Sequence, residues 1–270
     1  MATKKIALDA GHGLYTAGKQ TPDGIKEWTL NDKVRDKIVA NLKDYDCTFI
    51  HVDNNEGKKD ESLSARVKKY MDAKANVFVS IHHNAYTGKF TKVTGLEVYT
   101  DNNPTAKDVE LAGLIYNRMV KYIGLKGRGV KRADFTVIDQ DKIPAVLCEG
   151  GFMDGTDDYK VITSSKGQDA YARAVAEALI EFLDLKKKPT TTTTKPAETK
   201  KEDTPFVVKV DIRNLNIRKG PGTNYATTGS YTGIGAFTIV ETKAGAGSKA
   251  GWGKLKSGAG WISLDFAKKI

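Results

Sequence analysis

The most strand-like run in the chain, Val77-Phe78-Val79-Ser80-Ile81, leads directly into His82-His83-Asn84-Ala85. A buried strand that delivers two imidazoles at its end constrains the fold. In a parallel sheet, functional groups collect beyond the carboxyl ends of the strands, where the loops converge and the next helices begin. Three further polar residues are candidates for the same edge: His12 in Asp9-Ala10-Gly11-His12-Gly13, Glu27 at a helix start, and Glu149 in Val146-Leu147-Cys148-Glu149-Gly150-Gly151.

The order of elements supports such a sheet. Residues 5–9 read as a short buried strand, and Gly11 and Gly13 allow a tight turn that leaves the His12 imidazole exposed. After the Asp23-Gly24 turn, Leu30, Val34, Ile38 and Leu42 recur at four-residue spacing, the mark of an amphipathic helix. Glu27 falls on the inward face of that helix and in its first turn. There the helix dipole favours a carboxylate, but burial without a partner is costly. Residues 47–51 form a second strand, and a helix begins near Ser62 with Leu63, Val67, Tyr70 and Met71 as its inner stripe. Residues 95–99 form a fourth strand, a helix follows Pro104, and residues 135–138 and 145–148 are further strands. Residues 168–185 close the domain as a helix with Tyr171, Val175, Leu179 and Leu183 inward. Strands alternating with helices predict an α/β domain over residues 1–185, with a mainly parallel sheet sandwiched between helices. Arg66, on the helix before the central strand, is expected to spend its guanidinium on internal hydrogen bonds.

Residues 186–205, rich in Lys, Pro and Thr, have no apolar periodicity and read as a linker. Beyond it, residues 206–270 hold short strands between Gly-rich turns, which fit a small all-β barrel. Charge divides unevenly along the chain: 1–185 is neutral, the linker carries +3 and the tail +7. An excess of that size in a small module favours an anionic surface as its partner. Cys47 and Cys148 each lie inside a strand, so both are expected to be buried thiols rather than a disulfide framework. No run approaches the roughly 20 apolar residues that span a bilayer, and the N-terminus enters a strand without a signal-peptide apolar region. Neither membrane insertion nor nucleic acid enters the reading, and export by the usual signal-peptide route is not expected.

Two imidazoles and one carboxylate from different loops, without thiols, form the usual open ligand set of a catalytic zinc, Zn2+. His12, Glu27 and His82 are the assigned ligands. His83 is the alternative to His82, and periodicity alone does not exclude it, since adjacent strand residues point to opposite faces. His51 also ends a strand, but nothing around it resembles a metal turn. Zinc would lower the pKa of a bound water toward neutrality and polarise a carbonyl, and a carboxylate outside the ligand set would take the proton. Glu149 suits that role, with Gly150 and Gly151 keeping the backbone open for substrate.

Taken together, Asp9-Ala10-Gly11-His12-Gly13, Glu27, Ser62-Leu63-Ser64-Ala65-Arg66, Val79-Ser80-Ile81-His82-His83-Asn84-Ala85 and Pro144-Ala145-Val146-Leu147-Cys148-Glu149-Gly150-Gly151-Phe152 resemble the ordered motifs of the zinc-dependent N-acetylmuramoyl-L-alanine amidases, the amidase-3 family. The resemblance covers about residues 4–185. It implies zinc on His12, Glu27 and His82, with Glu149 catalytic, and so chooses His82 over His83. It also implies hydrolysis of the amide joining the lactyl group of N-acetylmuramic acid to the L-alanine of the peptidoglycan stem peptide. Two positions depart from the pattern: Leu14 stands where a second glycine often follows, and His51 where arginine is common. Neither removes a ligand, so substrate preference is what they touch.

The stretch Leu215-Asn216-Ile217-Arg218-Lys219-Gly220-Pro221-Gly222-Thr223-Asn224-Tyr225 is similar to bacterial SH3 domains, with Trp252 and Trp261 near expected tryptophans. That implies binding to peptidoglycan or an anionic wall polymer, although packing alone accounts equally for the two tryptophans and Tyr225. The expected protein is a wall amidase with a wall-binding tail, resembling a phage endolysin. Its rivals are a mother-cell autolysin of the same chemistry, a zinc endopeptidase cutting within the stem, and a non-catalytic wall-binding protein.

Overall fold

The computed structural model describes residues 3–188 and 205–270, and the chain divides between Lys188 and Pro189 into two compact units. In the first unit a six-stranded sheet runs in the order β2-β1-β3-β6-β4-β5. Its strands are β1 (Lys4–Ala10), β2 (Cys47–His51), β3 (Val77–Asn84), β4 (Leu96–Thr100), β5 (Gly127–Arg132) and β6 (Ala145–Phe152). All neighbouring pairs are parallel except β4 with β6. The expected α/β class and mainly parallel sheet therefore stand.

Side-chain alternation along the strands sorts the core into two faces. Ile6 and Leu8, Val77, Val79 and Ile81, and Val146 and Cys148 pack with residues of helices α1 (Glu27–Leu42), α3 (Ala106–Ile123) and α5 (Ser165–Phe182). Ala7, Phe78, Ala145 and Leu147 face the other way, against Tyr70 of α2 (Leu63–Asp72) and the Val137-Ile138 turn. Helix α1 buries Leu30, Val34, Ile38 and Leu42 completely, as their spacing predicts. Each such side chain contributes on the order of 1.5–3 kcal/mol. Ser62 caps α2 by accepting the Ala65 N–H at 3.2 Å. Thr105 and Asp108 form a capping box at α3, and Asp108 also accepts the Ala145 N–H at 2.8 Å, which ties that helix to β6.

Several boundaries differ from expectation. Strand β3 does not end at Ile81 but continues through both histidines to Asn84, and β6 continues past Glu149 to Phe152. Residues 135–138 form a turn instead of a strand. Val137 and Ile138 are buried, which gives them a strand-like apolar pattern, but the Ile138 N–H bonds back to the Phe135 carbonyl at 2.8 Å. The strand in that region is β5, and a short helix α4 (Thr156–Ile162) precedes α5. Leu63 is not on the inner stripe of α2: it is the first residue of the helix and is 51% exposed. Cys47 and Cys148 are free and buried.

The second unit is a seven-stranded antiparallel sheet of β7 (Phe206–Val210), β8 (Asn216–Arg218), β9 (Thr227–Tyr231), β10 (Gly235–Lys243), β11 (Trp252–Leu255), β12 (Trp261–Ser263) and β13 (Lys268–Lys269), ordered β13-β7-β10-β11-β12-β8-β9 around Val208, Val210, Ile217, Ile239, Leu255 and Ile262. Strand β9 (Thr227–Tyr231) was not expected, since its residues are all exposed and show no apolar alternation. Trp252 and Trp261 are buried, whereas Tyr225 is 44% exposed over Gly220. Most of the expected linker lies outside the described residues. Lys186 to Lys188 pack back on the first unit through bonds to Asp44 and Asp46.

Candidate metal centre and active site

Strand parity sets out the site. Asp9 of β1, Ser80 and His82 of β3, Glu149 of β6 and Glu97 of β4 follow the alternation of the face that α2 covers, and they form a polar row across the C-terminal part of the sheet. His82 and Glu149 are direct register partners, as are Glu149 and Glu97. His83 has the opposite parity and is held among α1 and α5.

His12, Glu27 and His82 come together with one ligand atom each, all within 4.8 Å of one another. Glu27 Oε2 lies 3.3 Å from His12 Nε2, and Oε1 lies 3.1 Å from His82 Nδ1. The Glu27 side chain is only 2% exposed and no Lys or Arg pairs with it among the described residues. Burial alone raises a carboxyl, but the two imidazoles hold Glu27 well below the usual carboxylate range. Burial disfavours the charged form of His82, yet Glu27 outweighs it and the pKa is raised. Two imidazole nitrogens and a buried carboxylate without a side-chain cation are a donor set that fits a divalent metal.

Gly11 and His12 divide the turn differently from the sequence reading. The residue in the left-handed region is His12 itself, at φ 67°, while Gly11 is not. Gly11 is needed for proximity, since a Cβ there would fall 2.0 Å from His82 Cε1. Arg66 supports the unusual His12 backbone. Its Nη2 donates to the His12 carbonyl at 2.9 Å and to Asp60 at 2.8 Å, Nη1 pairs with Asp9, and Nε donates to the Glu61 carbonyl at 3.0 Å. Asp9 accepts in turn from Ser80 at 2.7 Å.

His83 has a role separate from the cluster. Its backbone N–H donates to Glu27 Oε1 at 3.2 Å, and its Nδ1 lies 2.8 Å from Asn31 Oδ1. Asn31 Nδ2 donates to the Gly11 carbonyl at 3.1 Å and toward Glu27 Oε1 at 3.4 Å. With the amide so oriented, His83 Nδ1 is the donor to Asn31. Burial pushes the His83 pKa down to about 4, so the ring is neutral. His51 lies apart, bonded to Asn55 at 3.1 Å.

Glu149 Oε2 is buried and has no hydrogen-bond partner, a costly state for a carboxyl group. Burial pushes its pKa up to about 8; His82 opposes the rise, and Glu27 and Glu97 add to it. Glu97 is instead fully satisfied. It accepts from Asn84 at 3.0 Å and Tyr99 at 2.6 Å and pairs with Arg128 and Lys131. Gly150 and Gly151 do not serve substrate access. A Cβ on Gly150 would meet the Tyr171 ring at 2.2 Å, and Gly151 has φ 124°. The cleft over the row measures about 610 Å³ and is lined by His12, Glu27, His82 and Glu149 with Lys19, Leu63 and Phe135.

Glu97 and Asn31 were absent from the sequence reading. Asn31 lies four residues after Glu27 on the same helix face, and Glu97 is a lone carboxylate inside Leu96-Glu97-Val98, so both carried a signal.

Residues 6–181 match the Amidase_3 family, N-acetylmuramoyl-L-alanine amidase. The chain is 32% identical over 188 residues to the endolysin of Bacillus phage SPP1, covering 69% of this chain and 68% of that one. It is 29% identical over 178 residues to the N-acetylmuramoyl-L-alanine amidase LytC of Bacillus subtilis strain 168, of which it spans 35%. Among solved structures, the catalytic domain of CwlV from Paenibacillus polymyxa superposes with a TM-score of 0.62 at 27% identity, over 68% of this chain and 99% of that one. An N-acetylmuramoyl-L-alanine amidase from Clostridium difficile 630 does so at 0.64 and 27% identity, over 68% and 98%.

Proposed function

The chain belongs to the N-acetylmuramoyl-L-alanine amidase family, and on that premise we propose that it is a zinc-dependent peptidoglycan amidase that cleaves between N-acetylmuramic acid and L-alanine. The observation that carries the metal reading is the cluster of His12, Glu27 and His82, built around a buried carboxylate that faces two imidazoles. These three residues would hold the zinc. When bound, the metal supplies Lewis acidity and lowers the pKa of a coordinated water toward neutrality.

The rest of the chemistry falls to the chain. Glu149, which lines the cleft and whose Oε2 has no hydrogen-bond partner, accepts in its ionised form the proton of the attacking water and returns it to the departing alanine nitrogen. Glu97 is anchored by Arg128, Lys131, Tyr99 and Asn84, and keeps a fixed negative charge behind Glu149. Arg66 and Asn31 hold the backbone of the His12 turn, so the cluster is rigid before substrate arrives. Leu63, Phe135, Val137 and Leu147 give the cleft an apolar wall beside the metal cluster.

The second unit is the wall anchor in this reading, an SH3-like module whose +7 charge suits an anionic polymer. The 32% identity to the SPP1 endolysin supports the phage-endolysin reading, with a mother-cell autolysin of the same chemistry as the alternative. Mass spectrometry of digested walls tests the reaction. New L-alanine amino termini on intact stems are expected, whereas cuts inside the stem would indicate an endopeptidase. A chain ending at Lys188 is expected to hydrolyse soluble muropeptides while sedimenting less with walls.

A further inference from the structure

Among the described residues lining the cleft, the cationic side chains are Arg66 and Lys19. Arg66 is 1% exposed and committed to Asp9, Asp60 and the carbonyls of Ala10, His12 and Glu61. Nothing in a substrate can reach it without breaking that network. The exposed Lys19 ammonium makes no side-chain hydrogen bond or ion pair among the described residues.

The lysine is nonetheless held in place through its backbone. The Glu27 N–H donates to the Lys19 carbonyl at 3.0 Å, and the Lys19 N–H bonds to Thr16 at 3.4 Å. Gln20 and Lys26 form an antiparallel bridge immediately behind it. Thr16 is itself clamped, accepting from the Gly13 N–H at 2.9 Å and donating to Asp60 at 2.6 Å. Lys19 is therefore fixed to the first turn of the helix that presents Glu27, and its charge is felt at Glu149.

The remaining lining charges are acidic: Glu27, Asp60, Asp134 and Glu149 join the buried Asp9. Asp9 and Asp60 are already paired with Arg66, and Glu27 belongs to the metal cluster, so Lys19 is the one uncommitted cationic side chain among the described residues that line the cleft. We infer that Lys19 is the specificity determinant for a negatively charged stem, binding a carboxylate on the alanine side of the scissile amide. The first stem residue offers none, since its carboxyl is consumed in the next amide bond. At about 3.3–3.6 Å per residue along an extended chain, the nearest candidate carboxylate is on the second stem residue. This inference rests on the amidase reading.

The test uses the full chain and two soluble muropeptides that differ only at the second stem residue, one with a free carboxylate and one with the carboxamide. Wild type is expected to favour the acid by about ten-fold in kcat/KM, mostly through KM, as for one charge-assisted hydrogen bond. Lys19→Met, which keeps the stem and removes the charge, is expected to bring the ratio near unity. Lys19→Arg should retain most of the preference, and added salt should shrink it in wild type. Equal rates on both substrates in wild type, or an unchanged ratio in Lys19→Met, would overturn the assignment while leaving the amidase reading intact. Failure of wild type to cut either substrate at the muramoyl–alanine amide would overturn both.

Discussion

His82 and Glu149 stand opposite each other on the neighbouring parallel strands β3 and β6, one in the imidazole–carboxylate cluster and the other with a buried oxygen that has no partner. This register gives them different tasks on one face of one sheet. Glu149→Gln keeps the shape and removes the proton acceptor. It is expected to lower kcat for muropeptide hydrolysis by about 10²–10⁴-fold with little change in KM. Steady-state kinetics at near wild-type rates would remove Glu149 from the chemistry.

Asn31 touches Gly11, Glu27 and His83 from a single buried side chain. Asn31→Leu keeps the volume and loses all three contacts, so the Glu27 carboxylate is no longer steered. Zinc affinity, read by competition with a chelating dye, should weaken by about 10–100-fold, the usual cost of losing support behind a ligand. An unchanged affinity would make Asn31 a packing residue only.

Arg66 neutralises Asp9 where both are 1% exposed. Arg66→Met leaves that carboxylate buried and unpaired and frees the His12 carbonyl. Urea unfolding should show a loss of about 3–5 kcal/mol. A loss under about 1 kcal/mol would mean that the network relaxes around the change.

Acid should weaken the fold through Glu97. Burial raises its pKa, but the hydrogen bonds of Lys131, Tyr99 and Arg128 outweigh it and the value is lowered from 4.5. A depressed carboxyl adds stability above its unfolded pKa and loses it as pH falls through the folded value. The contribution is thus full at neutral pH and is lost progressively as pH falls from about 4.5 through the lower folded value. Thermal midpoints across pH 7 to 3 should fall less steeply in Glu97→Gln than in wild type, and parallel curves would contradict this.

The four-residue repeat of α1 and the buried run of β3 made the α/β architecture legible, and the ends of strands pointed to His12, Glu27, His82 and Glu149. Register was not legible, because pairing β4 antiparallel to β6 depends on contacts far apart in sequence, and that pairing is what sets Glu97 beside Glu149. The turn at Phe135 read as a strand for a similar reason: burial, not backbone hydrogen bonding, sets apolar pattern. At Gly11-His12, glycine signalled a turn, yet its physical role is to admit the His82 ring.

Metal content most directly tests the division of labour between the two register partners. Elemental analysis of purified protein should find stoichiometric zinc in wild type and in Glu149→Gln, and almost none in His82→Ala. Full zinc occupancy in His82→Ala, with its loss in Glu149→Gln, would contradict the account.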